Sequence, residues 1–293
     1  FDLPAATFRH EAFEAYKAQR APMPEDMRPQ VGMMREVLDA MRVPVIGVEG
    51  YEADDVIGTL SRRAAAEGFD VLIVTSDRDA LQLVDEHVHV LANKKGLTET
   101  VEYDLAAVRA RYGLDPAQLP DMKALTGDIS DNIPGVPGIG EKTAAKLITQ
   151  FGSLEHLLDE VELVTGKTGA ALAAYAEQAR QSKHLATIHC DVPLADFTWA
   201  CCRRQPWDQP ALLELFRRLD FRSLLHRLET AGAGAAAPAE AAPPHETRVV
   251  PDPAAVARAV RDALAVGTCA LVPAAAGPDP LRDRLVGLAL SAG

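Results

Sequence analysis

The sequence predicts an α/β protein in which helices flank a mainly parallel sheet, followed along the chain by a helical part, a linker and a further unit. Two strand-then-helix units are legible within the first 90 residues, helical patterns dominate from residue 105, and a stretch rich in Ala, Gly and Pro begins near residue 230. With 293 residues, 48% hydrophobic and 25% charged, the chain has an ordinary globular composition and a length typical of about two domains.

Each strand–helix unit consists of an apolar run, an acidic turn and the start of a helix. The first run is Val45–Val48; the second is Val71–Val74, which the turn Thr75–Asp79 separates from a helix beginning at Ala80. The helix after the first run carries apolar residues on one face, namely Val56, Ile57, Leu60 and Ala64. This alternation predicts a parallel sheet covered on both faces, with its functional crevice beyond the carboxyl ends of the strands.

The chain after residue 104 is expected to be mostly helical. Helices are predicted over Leu105–Tyr112 and Asp121–Thr126, and others begin at Glu141, Ser153 and Ala170. The first domain is therefore placed at residues 1–229, with an α/β part over 1–120 and a helical part over 121–229. Residues 230–247 are expected to be a flexible linker because they lack bulky apolar side chains. Residues 248–293 then begin a second domain.

Charge, hydropathy and cysteine spacing exclude several classes of protein. The net charge of −12 argues against a simple nucleic-acid coat protein, but a nucleic-acid enzyme can combine an acidic metal site with a basic binding face. No apolar run approaches the roughly 20 residues of a membrane span, and we expect no membrane partner. The four cysteines form no C-x-x-C pair, which disfavours a disulfide framework or a zinc site and favours the cytoplasm.

Eight acidic residues come from four separate segments, each after a predicted strand or in a turn. They are Asp2, Glu52, Asp54, Asp55, Asp77, Asp79, Asp128 and Asp131. Any one of them alone is explained by helix capping or exposure to solvent. Together they are expected to meet in one crevice, where two carboxylates about 4 Å apart repel by roughly 4 kcal/mol at an effective dielectric constant near 20. Oxygen-only ligands select Mg²⁺ or Mn²⁺, and two such ions support in-line phosphoryl displacement.

A glycine-rich segment, Ile133–Ala144, has the pattern Gly-hydrophobic-Gly followed by a helix and resembles a helix-hairpin-helix. Glycines allow the backbone to approach a phosphate, and the N–H groups of the following helix can donate to it. The residues expected to hold DNA are Gly135, Val136, Gly138, Ile139, Gly140, Lys142, Thr143 and Lys146. Such contacts are blind to base sequence. The alternative is a purely structural turn.

The segment Phe8–Arg20 is expected to form an amphipathic helix that Pro22 ends. Lys17 and Arg20 are three residues apart and would share one face of it. Two interpretations stay open: the face is a solvated flank, or its two cations neutralise a scissile phosphate opposite the metal ions.

These residues occur in motifs whose order is itself informative. The motifs are Phe1-Asp2, Phe8-Arg9-His10, Tyr16-Lys17-x-x-Arg20, Gly50-Tyr51-Glu52-Ala53-Asp54-Asp55, Thr75-Ser76-Asp77-Arg78-Asp79 and Gly127-Asp128-x-Ser130-Asp131-Asn132-x-Pro134-Gly135. From residue 1 to 229 the chain closely resembles the 5′-nuclease (flap endonuclease) domains of bacterial DNA polymerase I. The resemblance implies a PIN-like 5′-nuclease fold and a Mg²⁺-dependent phosphodiesterase. Its substrates would be DNA with a 5′ flap or nick and RNA primer–DNA hybrids, and a polymerase domain would follow in cis, in the cytoplasm with the nucleoid.

The resemblance also implies a role for each matched residue. One metal ion would be held by Asp2, Glu52 and Asp54, with Asp55 close by. The other would be held by Asp77, Asp79, Asp128 and Asp131. Lys17 and Arg20 would lie in a helical arch that clamps the 5′ strand, and Arg9 and Tyr16 would contact DNA. The hairpin would hold the downstream duplex and bind K⁺ through backbone carbonyls.

Two departures from the family pattern matter. The family's opening strand, with a further metal-binding Asp, should precede Phe1, so we expect weak or no activity and poor folding of this chain by itself and recovery of both on restoring that segment. After the linker, Thr268–Ala274 and Leu285–Leu288 resemble the first hairpin of a ribonuclease H-like 3′–5′ exonuclease domain. Proofreading versions carry an Asp and a Glu where Val272 and Ala274 stand, which predicts a vestigial exonuclease that acts as a spacer.

Two other functions are weighed against the nuclease of a polymerase. A module that holds branched DNA without cutting it would need the acids to be helix caps only. A stand-alone RNA nuclease with a similar acidic sheet would need neither the hairpin nor the segment after the linker.

Overall fold

The computed structural model describes residues 1–95, 99–195, 197–234, 269–275 and 285–292, and within them helix is more abundant than strand. The helices are α1 (Phe8–Ala12), α2 (Arg28–Ala40), α3 (Ala53–Ala66), α4 (Leu105–Tyr112), α5 (Leu119–Thr126), α6 (Glu141–Phe151), α7 (Leu154–Asp159), α8 (Gly166–Ala174), α9 (Ala176–Ala186), α10 (Gln209–Arg218) and α11 (Arg222–Gly234). Short 3₁₀ helices cover Asp79–Leu83, Pro116–Gln118, Val161–Leu163 and Trp199–Cys202. The chain divides into two units, residues 1–225 and 226–293.

The sheet of the first unit has the strand order β1 (Val71–Val74), β2 (Val88–Lys95), β3 (Glu99–Tyr103). β1 and β2 are parallel, with Val71 opposite Val88, whereas β2 and β3 are antiparallel. The prediction of a mainly parallel sheet is therefore wrong for the part of the chain that is described. Only three residues separate β3 from β2, and a connection that short permits only an antiparallel neighbour.

Strand β1 is buried on one face only. Ile73 is 6% exposed, but Leu72 and Val74 on the opposite face are 51% and 72% exposed. The predicted burial of both faces is thus wrong for β1 in the described structure, because a continuous apolar run does not reveal whether other elements cover each face of the sheet. The helix predicted from Ala80 is a 3₁₀ helix of five residues, since Asp85 accepts hydrogen bonds from the N–H groups of His87 and Val88 and turns the chain into β2.

The predicted strand Val45–Val48 is wrong: these residues have no regular secondary structure. Its backbone is joined to the first residue by a hydrogen bond from the Phe1 ammonium to the Ile46 carbonyl at 2.9 Å, which is a single contact rather than a ladder. An apolar run favours a strand, but a strand also needs a hydrogen-bonding neighbour, which the run cannot specify.

The helical predictions are largely confirmed. α3 buries Val56 and Ala64 as its apolar periodicity requires. α6 begins at Glu141, and α7 follows Ser153, whose side chain accepts a hydrogen bond from the His156 N–H at 3.2 Å. α8 begins at Gly166, four residues before the predicted start at Ala170.

One hydrophobic core joins the sheet to the helices that follow it. It includes the fully buried side chains Leu81, Val88, Val90, Leu125, Ile148, Leu154 and Leu172. Because β1, the 3₁₀ helix and α5 share this core, the turn after β1 and the turn after α5 are held beside each other. The core thus positions two of the acidic segments.

The second unit contains an antiparallel hairpin of β4 (Cys269–Ala275) and β5 (Leu285–Ala292), with Val272 opposite Ala289. The predicted linker begins within a helix, because α11 continues to Gly234 through alanines, which favour helix. The rest of that linker, residues 235–247, and the start of the predicted second domain, residues 248–268, lie outside the described residues. Among the described helices, none has the length and apolar character needed to cross a membrane.

Candidate active site

The first turn of α3 gathers the carboxylates nearest the start of the chain. Glu52 is the residue before the helix, and the Asp55 carboxylate accepts a hydrogen bond from the Glu52 N–H at 3.0 Å. Asp2 reaches the same turn, where its carboxylate accepts from the Ala53 N–H at 2.7 Å. Negative side chains are favoured there because the helix N-terminus carries partial positive charge. The helix end therefore brings Asp54 beside Asp2 and Glu52.

The turn after β1 fixes a second pair of carboxylates by local hydrogen bonds. The Asp77 N–H donates to the Thr75 hydroxyl at 3.0 Å, and the Asp79 N–H donates to the Asp77 carboxylate at 2.9 Å. These bonds orient Asp77 and Asp79 at the carboxyl end of the strand, as the sequence predicts.

The turn after α5 carries the third acidic segment and also holds the N-terminal part of the chain. The backbones of Asp128 and Ile133 pair with each other, and Ser130 donates from its N–H and its hydroxyl to Asp128 Oδ1 at 2.8 and 2.6 Å. Asn132 has a left-handed backbone, and its side-chain amide donates to the Ala15 carbonyl at 2.6 Å. The turn thereby fixes residues 13–20 against the acidic site.

The structure brings all but one of the predicted carboxylates to two adjoining cavities. A cavity of about 220 Å³ is lined by Asp2, Glu52, Asp54, Asp77, Asp79 and Asp131. A cleft of about 900 Å³ shares Asp77, Asp79 and Asp131 with it, adds Asp128 and extends to Gly140 and Glu141. The segments far apart in the sequence therefore converge, as expected. Asp55 lines neither cavity.

Asp55 and Arg9 form a buried ion pair, which corrects two predictions. Arg9 donates to both Asp55 oxygens at 2.8 Å and to the carbonyls of Leu185 and Thr187, and the Asp55 side chain is inaccessible to solvent. Burial opposes the charged form of Asp55, but the hydrogen bonds and charge of Arg9 lower its pKa below the ordinary value. With every oxygen engaged, Asp55 is a structural residue rather than a metal ligand, and Arg9, 2% exposed, cannot contact DNA.

The predicted helix over residues 8–20 is also wrong beyond Ala12. α1 ends there because tertiary contacts take the backbone groups that a helix would pair: the Ala12 carbonyl accepts from Gln181, and the Lys17 N–H donates to the Asp131 carbonyl at 3.0 Å. Lys17 has a left-handed backbone, and its ammonium lies 2.7 Å from Glu52. Arg20 lies 2.5 Å from Asp131. Both cations face the acidic cavity, although not from one helical face.

Tyr16 is buried inside the site rather than available to DNA. Its hydroxyl donates toward Glu52 at 3.1 Å and Asp131 at 3.2 Å, and the residue is 3% exposed. Burial and the charges of these two carboxylates raise the pKa of the phenol. The contact with DNA predicted for Tyr16 is therefore replaced by a hydrogen bond that orients two acidic side chains.

Uncompensated negative charge concentrates at Asp54. Burial, and then the charges of Asp77, Glu52 and Asp2, raise the pKa of this carboxyl to about 6. Asp128 differs: although burial opposes ionisation, hydrogen bonds from Lys123 and Ser130 lower its pKa to about 2. A carboxyl group that its neighbours force toward protonation is one that a divalent cation would stabilise.

The donor set fits a hard divalent cation. The cavities offer carboxylate oxygens from four segments and neither a cysteine nor a histidine among their lining residues. Within the residues that the structure describes, no three carboxylates converge closely enough to hold an ion as they stand. Lys17, Arg20 and Lys123 pair with oxygens of Glu52, Asp131, Asp79 and Asp128.

Lys123 is the residue of this site that sequence reasoning missed. It lies on α5 and pairs with Asp79 and with Asp128. The available signal is a lysine in the last turn of a helix that leads directly into the Gly-Asp turn, but its sequence spacing does not predict the contact with Asp79, 44 residues away.

The glycine-rich segment divides into buried and exposed positions. Val136 and Ile139 are buried in the core, so their side chains cannot touch DNA. Gly135 packs against the backbone of Thr126 and Gly127, where a Cβ atom would come within 2.5 Å of the Gly127 nitrogen. The backbone of Gly138 and Gly140 and the side chains of Lys142, Thr143 and Lys146 are exposed. Only this second group presents a surface to a ligand.

Comparison with known proteins identifies both halves of the first unit. Residues 1–113 match the N-terminal resolvase-like domain of 5′-3′ exonucleases, and residues 114–210 match the C-terminal SAM fold of the same family. The chain is 46% identical over 235 residues to DNA polymerase I of Mycobacterium leprae, a match that covers 80% of this chain and 26% of that protein. The chain thus spans about a quarter of the length of this relative.

Solved structures with the same fold include proteins from bacteriophage T5. One is a T5 5′-exonuclease with bound zinc, 26% identical, with a TM-score of 0.53 over 64% of this chain and 72% of that one. Another is a variant of the T5 flap endonuclease in a complex with DNA and metal ions, 23% identical, with a TM-score of 0.54 over 74% of this chain and 81% of that one. At that identity, the second match supports the fold alone.

Proposed function

The chain belongs to the 5′-3′ exonuclease family, and on that basis we propose that it is a Mg²⁺-dependent 5′→3′ exonuclease and flap endonuclease acting on DNA. The observation that carries the proposal is the convergence of acidic residues from four segments on two adjoining cavities, the larger of which leads to an exposed glycine-rich turn. A metal site next to a surface that binds phosphates without regard to sequence suits an enzyme that cuts nucleic acid by its shape.

We assign the metal ligands among the carboxylates that line the cavities. Asp2, Glu52 and Asp54 would hold one ion, and Asp77, Asp79, Asp128 and Asp131 the other. When bound, the ions supply an activated water and stabilise the charge on the leaving oxygen. Mg²⁺ is favoured over zinc because all the donors are hard oxygens.

Two cations at the rim are proposed to bind the scissile phosphate. Lys17 and Arg20 pair with Glu52 and Asp131, so the charge of each is already directed into the acidic cavity. Once metal ions neutralise those carboxylates, both side chains become available to phosphate oxygens. Tyr16 keeps Glu52 and Asp131 oriented through its hydroxyl.

The downstream duplex is proposed to rest on the turn before α6. The first N–H groups of a helix lack partners within the helix and can donate to a phosphate, and the exposed Gly138 and Gly140 allow close approach. Lys142 and Lys146 add positive charge on the same helix. A K⁺ ion coordinated by backbone carbonyls in this turn would add to the attraction.

The remaining assignments concern the larger protein. Its relatives are DNA polymerases I, so we propose that a polymerase domain follows in cis and that the nuclease removes 5′ flaps and RNA primers in nick translation and repair. Such a role places the protein with the nucleoid in the cytoplasm. We propose domain limits of 1–229 for the nuclease, 230–247 for the linker and 248 onward for a vestigial, ribonuclease H-like exonuclease domain to which the β4–β5 hairpin belongs.

The proposal is tested by cleavage of matched substrates with the complete protein. We expect Mg²⁺-dependent cutting of a duplex with a 5′ flap, loss of cutting in EDTA, and much slower cutting of single-stranded RNA of the same sequence. Binding of the flap without any cutting would instead identify a DNA-binding module. Preferential cutting of the RNA would identify an RNA nuclease.

Replacing Lys142 and Lys146 together by glutamine is expected to weaken DNA binding while leaving the maximal cleavage rate nearly unchanged. Each lost phosphate contact lowers the slope of log K against log salt concentration by about 0.9, so the double variant should lose about two units of slope. Fluorescence anisotropy over a range of salt concentrations measures this slope.

The matched control is Lys167→Gln, which removes an exposed lysine at the start of α8, outside the glycine-rich turn. It should leave the salt dependence as in the parent protein. Equal slopes for all three proteins would mean that duplex DNA does not rest on this turn.

A further inference from the structure

Lys123 links the two carboxylates that separate segments contribute to the second metal position. Its ammonium pairs with Asp79 Oδ1 and lies 2.5 Å from Asp128 Oδ2. The side chain is 22% exposed, and it lines the larger cleft. It therefore lies where the two acidic turns meet.

Both carboxylate oxygens of Asp128 already accept hydrogen bonds, so neither is free to bind a metal ion. Asp128 Oδ1 accepts from the Ser130 N–H and hydroxyl, and Oδ2 accepts from Lys123. Divalent cations bind carboxylate oxygens directly, at about 2.0–2.6 Å, so an ion and an ammonium cannot occupy the same position beside one oxygen. An ion that binds Asp128 through Oδ2 must therefore take the place of the Lys123 ammonium.

The carboxylates assigned to the first ion take part in fewer ion pairs than those assigned to the second. Among the described residues, Asp2 and Asp54 have no ion pair and only Glu52 of the first set is paired, with Lys17 and Arg9. In the second set Asp79 and Asp128 share Lys123 and Asp131 pairs with Arg20, which leaves only Asp77 without an ion pair among the described residues. The two parts of the acidic site thus differ in how much cationic charge the protein itself provides. A lysine is suited to such a role because its flexible stem lets a compact charge leave and return.

We propose that Lys123 is a resident counter-ion of the second metal position, so that a divalent cation binds at Asp79 and Asp128 by exchange with the ammonium. The inference rests on the proposed function, because it concerns the same site. Lys123 is thus a positioning residue. In the metal-free protein it holds the two acidic turns together, and it weakens the binding of the second ion because that ion must displace it. The first ion is expected to bind more tightly than the second.

Calcium titration of the complete protein and of its Lys123→Met variant tests this exchange without depending on catalysis. Isothermal titration calorimetry of the parent protein should resolve a tighter and a weaker site. In Lys123→Met, which keeps most of the length but removes the charge, the weaker site should tighten by about tenfold or more. Lys123→Arg, which keeps the charge, should not tighten it. Lys167→Met, at an exposed lysine at the start of α8, is the matched control and should behave like the parent.

Thermal unfolding adds a second readout, in case removal of the charge destabilises the protein. Without calcium, Lys123→Met should melt at a lower temperature than the parent because Asp79 and Asp128 then repel each other. Added calcium should raise its melting temperature by more than it raises that of the parent.

The outcomes separate this inference from the proposed function. Two calcium sites in the parent with an unchanged or weaker second site in Lys123→Met would overturn the exchange and leave the nuclease proposal standing. Equal calcium stabilisation of both proteins would overturn it as well. Absence of any divalent-cation binding in both proteins would overturn the exchange and the metal-dependent function together.

Discussion

Asp54→Asn is expected to reduce cleavage of a 5′-flap duplex by at least about 10³-fold, equivalent to about 4 kcal/mol of transition-state stabilisation. Asparagine keeps the shape of the side chain but removes the negative charge that a divalent cation needs. Asp54 is the carboxyl group on which the charges of Asp77, Glu52 and Asp2 act together. Its loss should therefore affect metal binding more than folding, and single-turnover cleavage at saturating enzyme measures the effect.

DNA binding distinguishes a lost metal ligand from a misfolded protein. Affinity for the flap duplex in the presence of Ca²⁺ should be retained within a few-fold, because the hairpin at Gly138 and Gly140 is untouched. Asp70→Asn, at an exposed aspartate before β1, is the matched control and should cut at the parental rate. Parental cleavage by Asp54→Asn would remove this residue from the metal site and weaken the proposed mechanism.

Arg9→Met is expected to lower the free energy of unfolding by about 3–5 kcal/mol, because it leaves the Asp55 carboxylate buried without its partner. The loss should be present at neutral pH. The native-state pKa of Asp55 is lowered, so the pair contributes its stabilisation above the unfolded-state pKa of this carboxyl and loses it as the pH falls through the lower native value. Urea unfolding at pH 7, repeated at progressively lower pH, measures both effects.

A double variant separates the ion pair from general packing. In Arg9→Met/Asp55→Leu no buried charge remains, and the stability should recover in part, limited by the His189 and Glu52 N–H groups that lose their acceptor. Arg222→Met serves as the control, since its exposed pair with Asp220 contributes little. A change below about 1 kcal/mol in Arg9→Met would contradict the structural role assigned to this pair.

The candidate site was more predictable than the sheet. The acidic residues are recognisable because they follow apolar runs or occupy turns. This pattern identifies them even where the predicted strand or helix beside them is wrong. Asp54 faces the cavity although Val45–Val48 forms no strand, since the first turn of α3 is enough to position it. The direction of β3 and the one-sided burial of β1 depend on which segments become neighbours, and the alternation of side chains does not encode that choice.

The role of each residue is harder to predict than whether the residue lies near the site. Arg9, Tyr16 and Asp55 stand in motifs that indicate function, yet burial makes Arg9 and Asp55 partners of each other and points Tyr16 at two carboxylates. Sequence spacing gives the residue type and its place along the chain. Sequence spacing does not predict which acidic and basic side chains form ion pairs with each other.

By itself, the sequence determined which residues are available: acidic residues in four segments, a glycine-rich turn before a lysine-bearing helix, and the order of motifs that identifies the family. Only the tertiary structure decided how these charges are paired. It buried Arg9 against Asp55, turned Lys17 toward Glu52 and set Lys123 between Asp79 and Asp128. The physical reason is that residue type and local pattern are properties of short segments. The pairing of charges depends on distances between segments that are far apart in the chain, and folding alone brings those together.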